Sequence, residues 1–163
     1  MLKTSKGLAT LAISVLAPLA HAQSGPAPQG AVAEHIATAA DSSGIRETAM
    51  NYIQGWYEGN ADRMQSALHP ELAKRIVRTD PKTGRSTFST MSALTLINGT
   101  KMGGGSNTPA ARRRSDYRLL DIYENAAVAR VDAGDWVDYL QLAKWNGKWV
   151  IVNVLWELRP QSP

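Results

Sequence analysis

The feature that most constrains this chain is residues 136–158, "WVDYLQLAKWNGKWVIVNVLWEL", where apolar segments of period two flank Asn146-Gly147. That dipeptide favours a type I′ hairpin turn, because both central positions need positive φ. A two-residue loop pairs Trp145 with Lys148 and sets the register outward from there. On that count Leu140 faces Asn153, and Asp138 faces Leu155. One face then holds Trp136, Asp138, Leu140, Trp149, Ile151 and Asn153. The other holds Val137, Tyr139, Val150, Val152, Val154 and Trp156. Both faces are largely apolar, so the hairpin is expected to be covered on both sides, by helices on one and by a loop or partner subunit on the other. Asp138 and Asn153 share a face as diagonal neighbours within side-chain reach. A carboxylate among apolar side chains must be hydrated, paired or protonated. Asp138 is therefore either a strand-end group that reaches solvent or Asn153, or a polar group inside a ligand cavity.

Two more period-two segments precede this hairpin, "RRSDYRLLDIYE" and "AAVARVDA". Pairing Glu124 with Ala127 gives a core-like face of Leu120, Ile122, Ala127, Ala129 and Val131. The opposite face, with Tyr117, Leu119, Tyr123 and an Asp121–Arg130 pair, is amphipathic and suits a two-fold sheet-to-sheet dimer.

Upstream the period is helical. Ile45, Ala49, Tyr52, Ile53 and Trp56 form one stripe, with Gly59 as the stop. Asn60 is the expected N-cap of a second helix carrying Met64, Ala67 and Leu68, ended by His69-Pro70. Residues 71–90 read as a short helical turn and then a hairpin bent at Asp80-Pro81-Lys82-Thr83-Gly84. A third helix follows, capped by Ser89 or Thr90 and stopped by Gly99, and "TKMGGGSNTPAA" reads as a flexible loop. Helices first and a meander afterwards predict an α+β fold, with N-terminal helices on a strongly bent, mainly antiparallel sheet.

The chain opens with Lys3 and Lys6, an apolar run over residues 8–19 and the small-x-small step Ala20-His21-Ala22. This is the pattern of a secretory signal peptide cleaved after Ala22, and the run is shorter than the roughly 20 residues of a bilayer span. The expected organisation is a leader at 1–22, a flexible linker at 23–43 and one domain at 44–160, exported to the periplasm or beyond, with no stable membrane anchor. Losing Lys3 and Lys6 lowers the formal charge from +4 to +2. "ARRRSDYR" is then the only basic stripe, which speaks against a nucleic-acid partner. The chain has no cysteine, so disulfides and thiolate chemistry are excluded. His69 is the single histidine of the expected domain, which leaves a transition-metal site without support and makes a cap or turn its expected role. No cofactor motif is found; "GGGSN" is neither a P-loop nor a dinucleotide fingerprint.

Three strings, "YIQGWYEGNADRMQSALHPEL", "MSALTLI" and "DYLQLAKWNGKWVIVNVLWEL", together with the strands between them, resemble the NTF2-like superfamily. Within it they resemble the "putative lumazine-binding" family of small bacterial proteins, over roughly residues 45–158. The resemblance implies a cone-shaped α+β fold, a curved sheet wrapped around a long helix, an open cavity, and a homodimer formed through the sheet. That superfamily holds isomerases, dehydratases, cyclases and binding proteins, so the fold leaves function open. The expected function is binding of a small, partly apolar or aromatic molecule, with Tyr52, Trp56, Asp138 and Asn153 as candidate ligand residues. One alternative is a proton-transfer enzyme of isomerase or dehydratase type with Asp138 as the catalytic base. The other is a non-catalytic dimerisation module with a filled core.

Overall fold

The computed structural model describes residues 38–160. In chain order these form α1 (Ala39–Glu58), α2 (Ala61–Ala67), β1 (Leu68–Thr79), β2 (Ser86–Ser92) and α3 (Ala93–Lys101). A 3-10 turn (Ala110–Arg112), β3 (Asp116–Tyr123), β4 (Ala126–Asp132), β5 (Trp136–Trp145) and β6 (Lys148–Leu158) follow. The expected leader and residues 23–37 of the expected linker lie outside the described residues.

The helix termini follow local chemistry. Thr38 caps α1, its hydroxyl accepting from the Asp41 N–H at 3.0 Å and donating to the Asp41 carboxylate at 2.6 Å. This Thr-x-x-Asp version of a capping box starts α1 at Ala39, so residues 39–43 are helix rather than linker. Gly59, at φ 66°, ends the helix, where a left-handed backbone favours glycine. Asn60 then caps α2 by accepting from the Arg63 N–H.

Residues 68–105 depart from expectation. β1 starts directly after α2, and residues 71–79 are strand rather than a helical turn. Leu72, Lys74 and Ile76 alternate inward with period two, and the charge of Lys74 disguises that alternation in the sequence. β2 runs through Ser89 and Thr90, and Ser92 caps α3 instead. The helix continues through Gly99 to Lys101. Two glycines of the expected flexible loop, Gly104 and Gly105, are packed against Trp56. The Gly105 N–H donates to the Trp56 carbonyl at 2.9 Å, and a methyl group at Gly105 would fall 2.6 Å from the indole.

The six strands make one sheet in the order β2-β1-β6-β5-β4-β3. Only β1 and β6 are parallel; the remaining pairs are antiparallel. The core sets Ile45, Ala49 and Ile53 of α1 with Ala129, Leu140, Ile151 and Val154 of the sheet. Each large aliphatic side chain buried there contributes on the order of 1.5–3 kcal/mol. The protein is thus an α+β fold of three helices on a mostly antiparallel sheet.

Two β-bulges correct the expected registers. Trp145 does pair with Lys148, around Asn146 at φ 49° and Gly147 at φ 78°. Further out, Leu142 pairs with Ile151 but Gln141 pairs with Asn153, so Val152 is the extra residue. One inserted residue reverses every side chain beyond it. Leu140 therefore faces Val154 and Asp138 faces Trp156, while Asn153 and Leu155 move to the outer face. In β3 the turn residues are Glu124 and Asn125, because Tyr123 pairs with Ala126. A bulge at Leu120 then turns Tyr117, Leu119 and Ile122 inward and leaves Leu120 exposed. Asp121 lies opposite Val128, not Arg130. Such bulges bend and twist a sheet, as a strongly curved one requires.

Candidate functional site

β1 and β5 lie on either side of β6, and each turns one charged side chain into the interior. Lys74 of β1 is 5% exposed and Asp138 of β5 is fully buried. The Lys74 Nζ donates to Asp138 Oδ1 at 2.5 Å and to the Tyr52 hydroxyl at 2.5 Å. The Tyr52 O–H donates in turn to Asp138 Oδ2 at 3.2 Å, and the Trp136 indole N–H donates to the same oxygen at 2.7 Å. Each carboxylate oxygen is thereby engaged, as a buried charge requires. The ammonium also lies 4.9 Å from the centre of the Trp156 ring, a cation–π contact. Burial pulls the Lys74 ammonium below the ordinary lysine range, against the opposing pull of Asp138. Burial, reinforced by the negative charge of Asp138, pushes the Tyr52 phenol up.

Beside this cluster opens a cavity of about 490 Å³. Its walls come from α1 (Tyr52, Ile53, Trp56), α2 (Met64), β1 (Lys74, Arg78) and β2 (Ser89, Met91). Leu96 of α3, Asp135 and Trp136 around the start of β5, and Trp156 and Leu158 of β6 complete them. Aromatic and aliphatic walls with a few polar groups are the usual lining of a small-molecule site.

Two of the residues singled out in the sequence, Tyr52 and Trp56, line this cavity, on one face of α1. Asp138 sits behind Lys74 and Tyr52 and is not part of the wall. Asn153 is on the opposite side of the sheet, where it accepts from Arg75 at 2.8 Å and donates to Gln141 at 3.1 Å. The expected Asp138–Asn153 pair does not form, because the bulge at Val152 turns Asn153 out. The same bulge turns Trp156 inward, so Trp136, Trp149 and Trp156 all face the interior. Lys74 is the residue that sequence reasoning passed over. Leu72 and Ile76 flanking it at spacing two were the available signal.

The other candidate groups have structural roles. The His69 Nδ1 accepts from the Glu71 N–H at 3.2 Å, and its ring meets Trp145 edge-on at 5.0 Å. The basic stripe is engaged within the chain. Arg112 pairs with Asp135 at 2.5 Å and Arg114 with Asp116 at 2.6 Å. Arg113 donates to the carbonyls of Thr108 and Ser106. Among the described residues no three His, Asp or Glu side chains gather as metal ligands. No helix among them is long and apolar enough to cross a membrane.

Comparison with known proteins places this architecture. An NTF2-like protein of unknown function from Shewanella baltica OS155 superposes with a TM-score of 0.57 at 19% identity, covering 75% of this chain and 96% of that one. Another from Methylobacillus flagellatus KT gives 0.58 at 24% identity, with 76% and 95% covered. A protein of unknown function with a cystatin-like fold from Nostoc punctiforme PCC 73102 gives 0.53 at 16%, covering 77% and 96%. No curated protein matches the chain. The family model described as "Putative lumazine-binding" matches residues 40–157. The chain belongs to that "putative lumazine-binding" family, on an NTF2-like fold.

Proposed function

We propose that this is an exported pocket protein that holds a small, partly apolar or aromatic molecule without transforming it. The observation that carries this reading is the cavity itself, whose aromatic walls come from α1, β5 and β6 and which ends on Lys74, itself paired with Asp138 behind it. The family's description supports a small-molecule ligand. Asp138, the candidate base, has both oxygens occupied and lies behind the wall, which favours binding over proton transfer. Thermal-shift screening against pterins, flavins, steroids and hydroxyaromatics tests the reading. A ligand at one hundred times its Kd adds about 2.7 kcal/mol of stability. Met91→Trp, which puts a bulkier side chain into the cavity wall and narrows the binding space, should abolish the shift while the protein stays folded. Hits that survive Met91→Trp, or no hit in the whole panel, would overturn the reading.

Two further parts of the proposal concern the setting of the pocket. The leader pattern at residues 1–22 supports export, and mass analysis of protein recovered from the periplasm should give an N-terminus at Gln23. Tyr139 and Leu155 face each other across β5 and β6 on the outer face of the sheet, 42% and 49% exposed. We place the homodimer interface there. Native mass spectrometry showing only monomer at micromolar concentration would remove it.

A further inference from the structure

The cavity wall contains three charged side chains, Lys74, Arg78 and Asp135. Two have partners: Lys74 is matched by Asp138 at 2.5 Å, and Asp135 by Arg112 at 2.5 Å. The Arg78 guanidinium has no ion-pair or hydrogen-bond partner among the described residues, and neither has the Ser89 hydroxyl. Their positions follow from the register. Lys74, Ile76 and Arg78 alternate onto the inward side of β1, with Arg78 toward the exposed end of the strand. Arg78 pairs with Thr87 and Ile76 with Ser89, which makes Ser89 the diagonal neighbour of Arg78. A guanidinium and a hydroxyl with no partner among the described residues thus stand together at the rim of a largely aromatic and aliphatic cavity.

We propose that the ligand is an anion, an aromatic or otherwise apolar carboxylate whose head group is held at the rim by Arg78 and Ser89. This rests on the pocket reading above and names the ligand class for it. The planar guanidinium fork matches a carboxylate with two parallel hydrogen bonds, and the Ser89 O–H supplies a third donor. The head belongs at the rim because Lys74, at the floor, is already neutralised, and the Asp138 charge behind it repels a second carboxylate. Four residues of strand separate Lys74 from Arg78, about 13 Å, which leaves room for two or three fused rings among Tyr52, Trp136 and Trp156. Arg78 is exposed at the rim, where solvent can reach its guanidinium. Only a ligand that seats against the rim replaces that solvent.

Matched probes test this by titration calorimetry: 2-naphthoate and anthracene-2-carboxylate against their neutral amides. The expected result is that at least one carboxylate binds about tenfold or more tighter than its amide, and that added salt weakens only the carboxylate. Arg78→Gln should remove the difference by weakening the carboxylate far more than the amide, while Arg78→Lys restores part of it. A rim arginine with a merely structural role would change carboxylate and amide alike. Equal binding of acid and amide, or carboxylate binding indifferent to Arg78→Gln, overturns the anion proposal and leaves the pocket reading standing. Absence of carboxylate binding overturns it as well, and the thermal-shift screen with Met91→Trp then decides the pocket reading separately.

Discussion

Two carboxylates in this molecule have nearly the same partners and quite different surroundings. Asp138 receives the Lys74 ammonium and the Trp136 indole N–H, with Tyr52 as a third donor. Asp41 receives the Lys144 ammonium at 2.8 Å and the Trp149 indole N–H at 3.1 Å, with Thr38 as the third donor. In the first cluster both partners are buried: the side chains of Lys74 and Asp138 are 6% and 0% exposed. In the second, the Lys144 side chain is 36% exposed, and Asp41 lies in the first turn of α1, where the helix dipole favours an anion. The contrast shows that a list of donors does not define what a carboxylate does. Asp41 joins the start of α1 to the β5–β6 hairpin. Asp138 holds a buried lysine in place in the wall of a largely apolar cavity.

The largest effect that separates the two clusters should come from Lys74→Met. It strands a fully buried carboxylate and is expected to cost about 3–5 kcal/mol in urea unfolding. Adding Asp138→Leu should recover most of that loss, because a buried pair replaced by apolar groups of similar volume is close to neutral. If Lys74→Met lost less than about 1 kcal/mol, the buried pair would not be the cluster that the geometry describes.

Acid should affect the second cluster through Asp41. Hydrogen bonds from Lys144, Thr38 and Trp149 hold its carboxyl well below the usual carboxylate range. A carboxyl depressed in the folded state adds stability above its unfolded value near 3.9, and that stability is lost as pH falls further. Asp41→Asn should therefore flatten the decline of stability below about pH 4. An unchanged acid limb in that variant would assign the decline to other carboxylates.

Lys144→Met should be mild, within about 1 kcal/mol, since a partly exposed pair is solvated in either state. An effect as large as that of Lys74→Met would erase the contrast between the clusters. The smallest effect is expected from Asn153→Ala, within about 0.5 kcal/mol by urea unfolding, because its amide bonds on the outer face. A ligand-affinity change in that variant, with stability unaltered, would place the site on the wrong side of the sheet.

How much of this was legible beforehand depends on the range of the interactions. Gly59 and Asn60 end one helix and start the next through chemistry contained in four or five residues, and both are readable. Asn146-Gly147 locates a hairpin for the same reason. Thr38 and Asp41 were equally local, and the three-residue spacing between them was the missed signal. The bulges at Leu120 and Val152 were not readable, because a bulge depends on how a strand fits its neighbours. Their effect is large: one inserted residue separates Asn153 from Asp138 and brings Trp156 to the cavity. Helical spacing put Tyr52 and Trp56 on one face, since residues one turn apart share a face whatever lies opposite, and the cavity they line was implied by the family resemblance.

The sequence by itself therefore determined the β5–β6 hairpin turn, the helix boundary at Gly59 and Asn60, the α+β class and the shared face of Tyr52 and Trp56, because these follow from the conformational preferences of neighbouring residues. The tertiary structure alone decided that Lys74 meets Asp138, 64 residues further along the chain. It also decided that Asn153 faces outward and that Arg78 stands at the rim without a partner among the described residues. Those outcomes depend on sheet register and strand order, which are set by the packing of the whole core rather than by any short stretch of the chain.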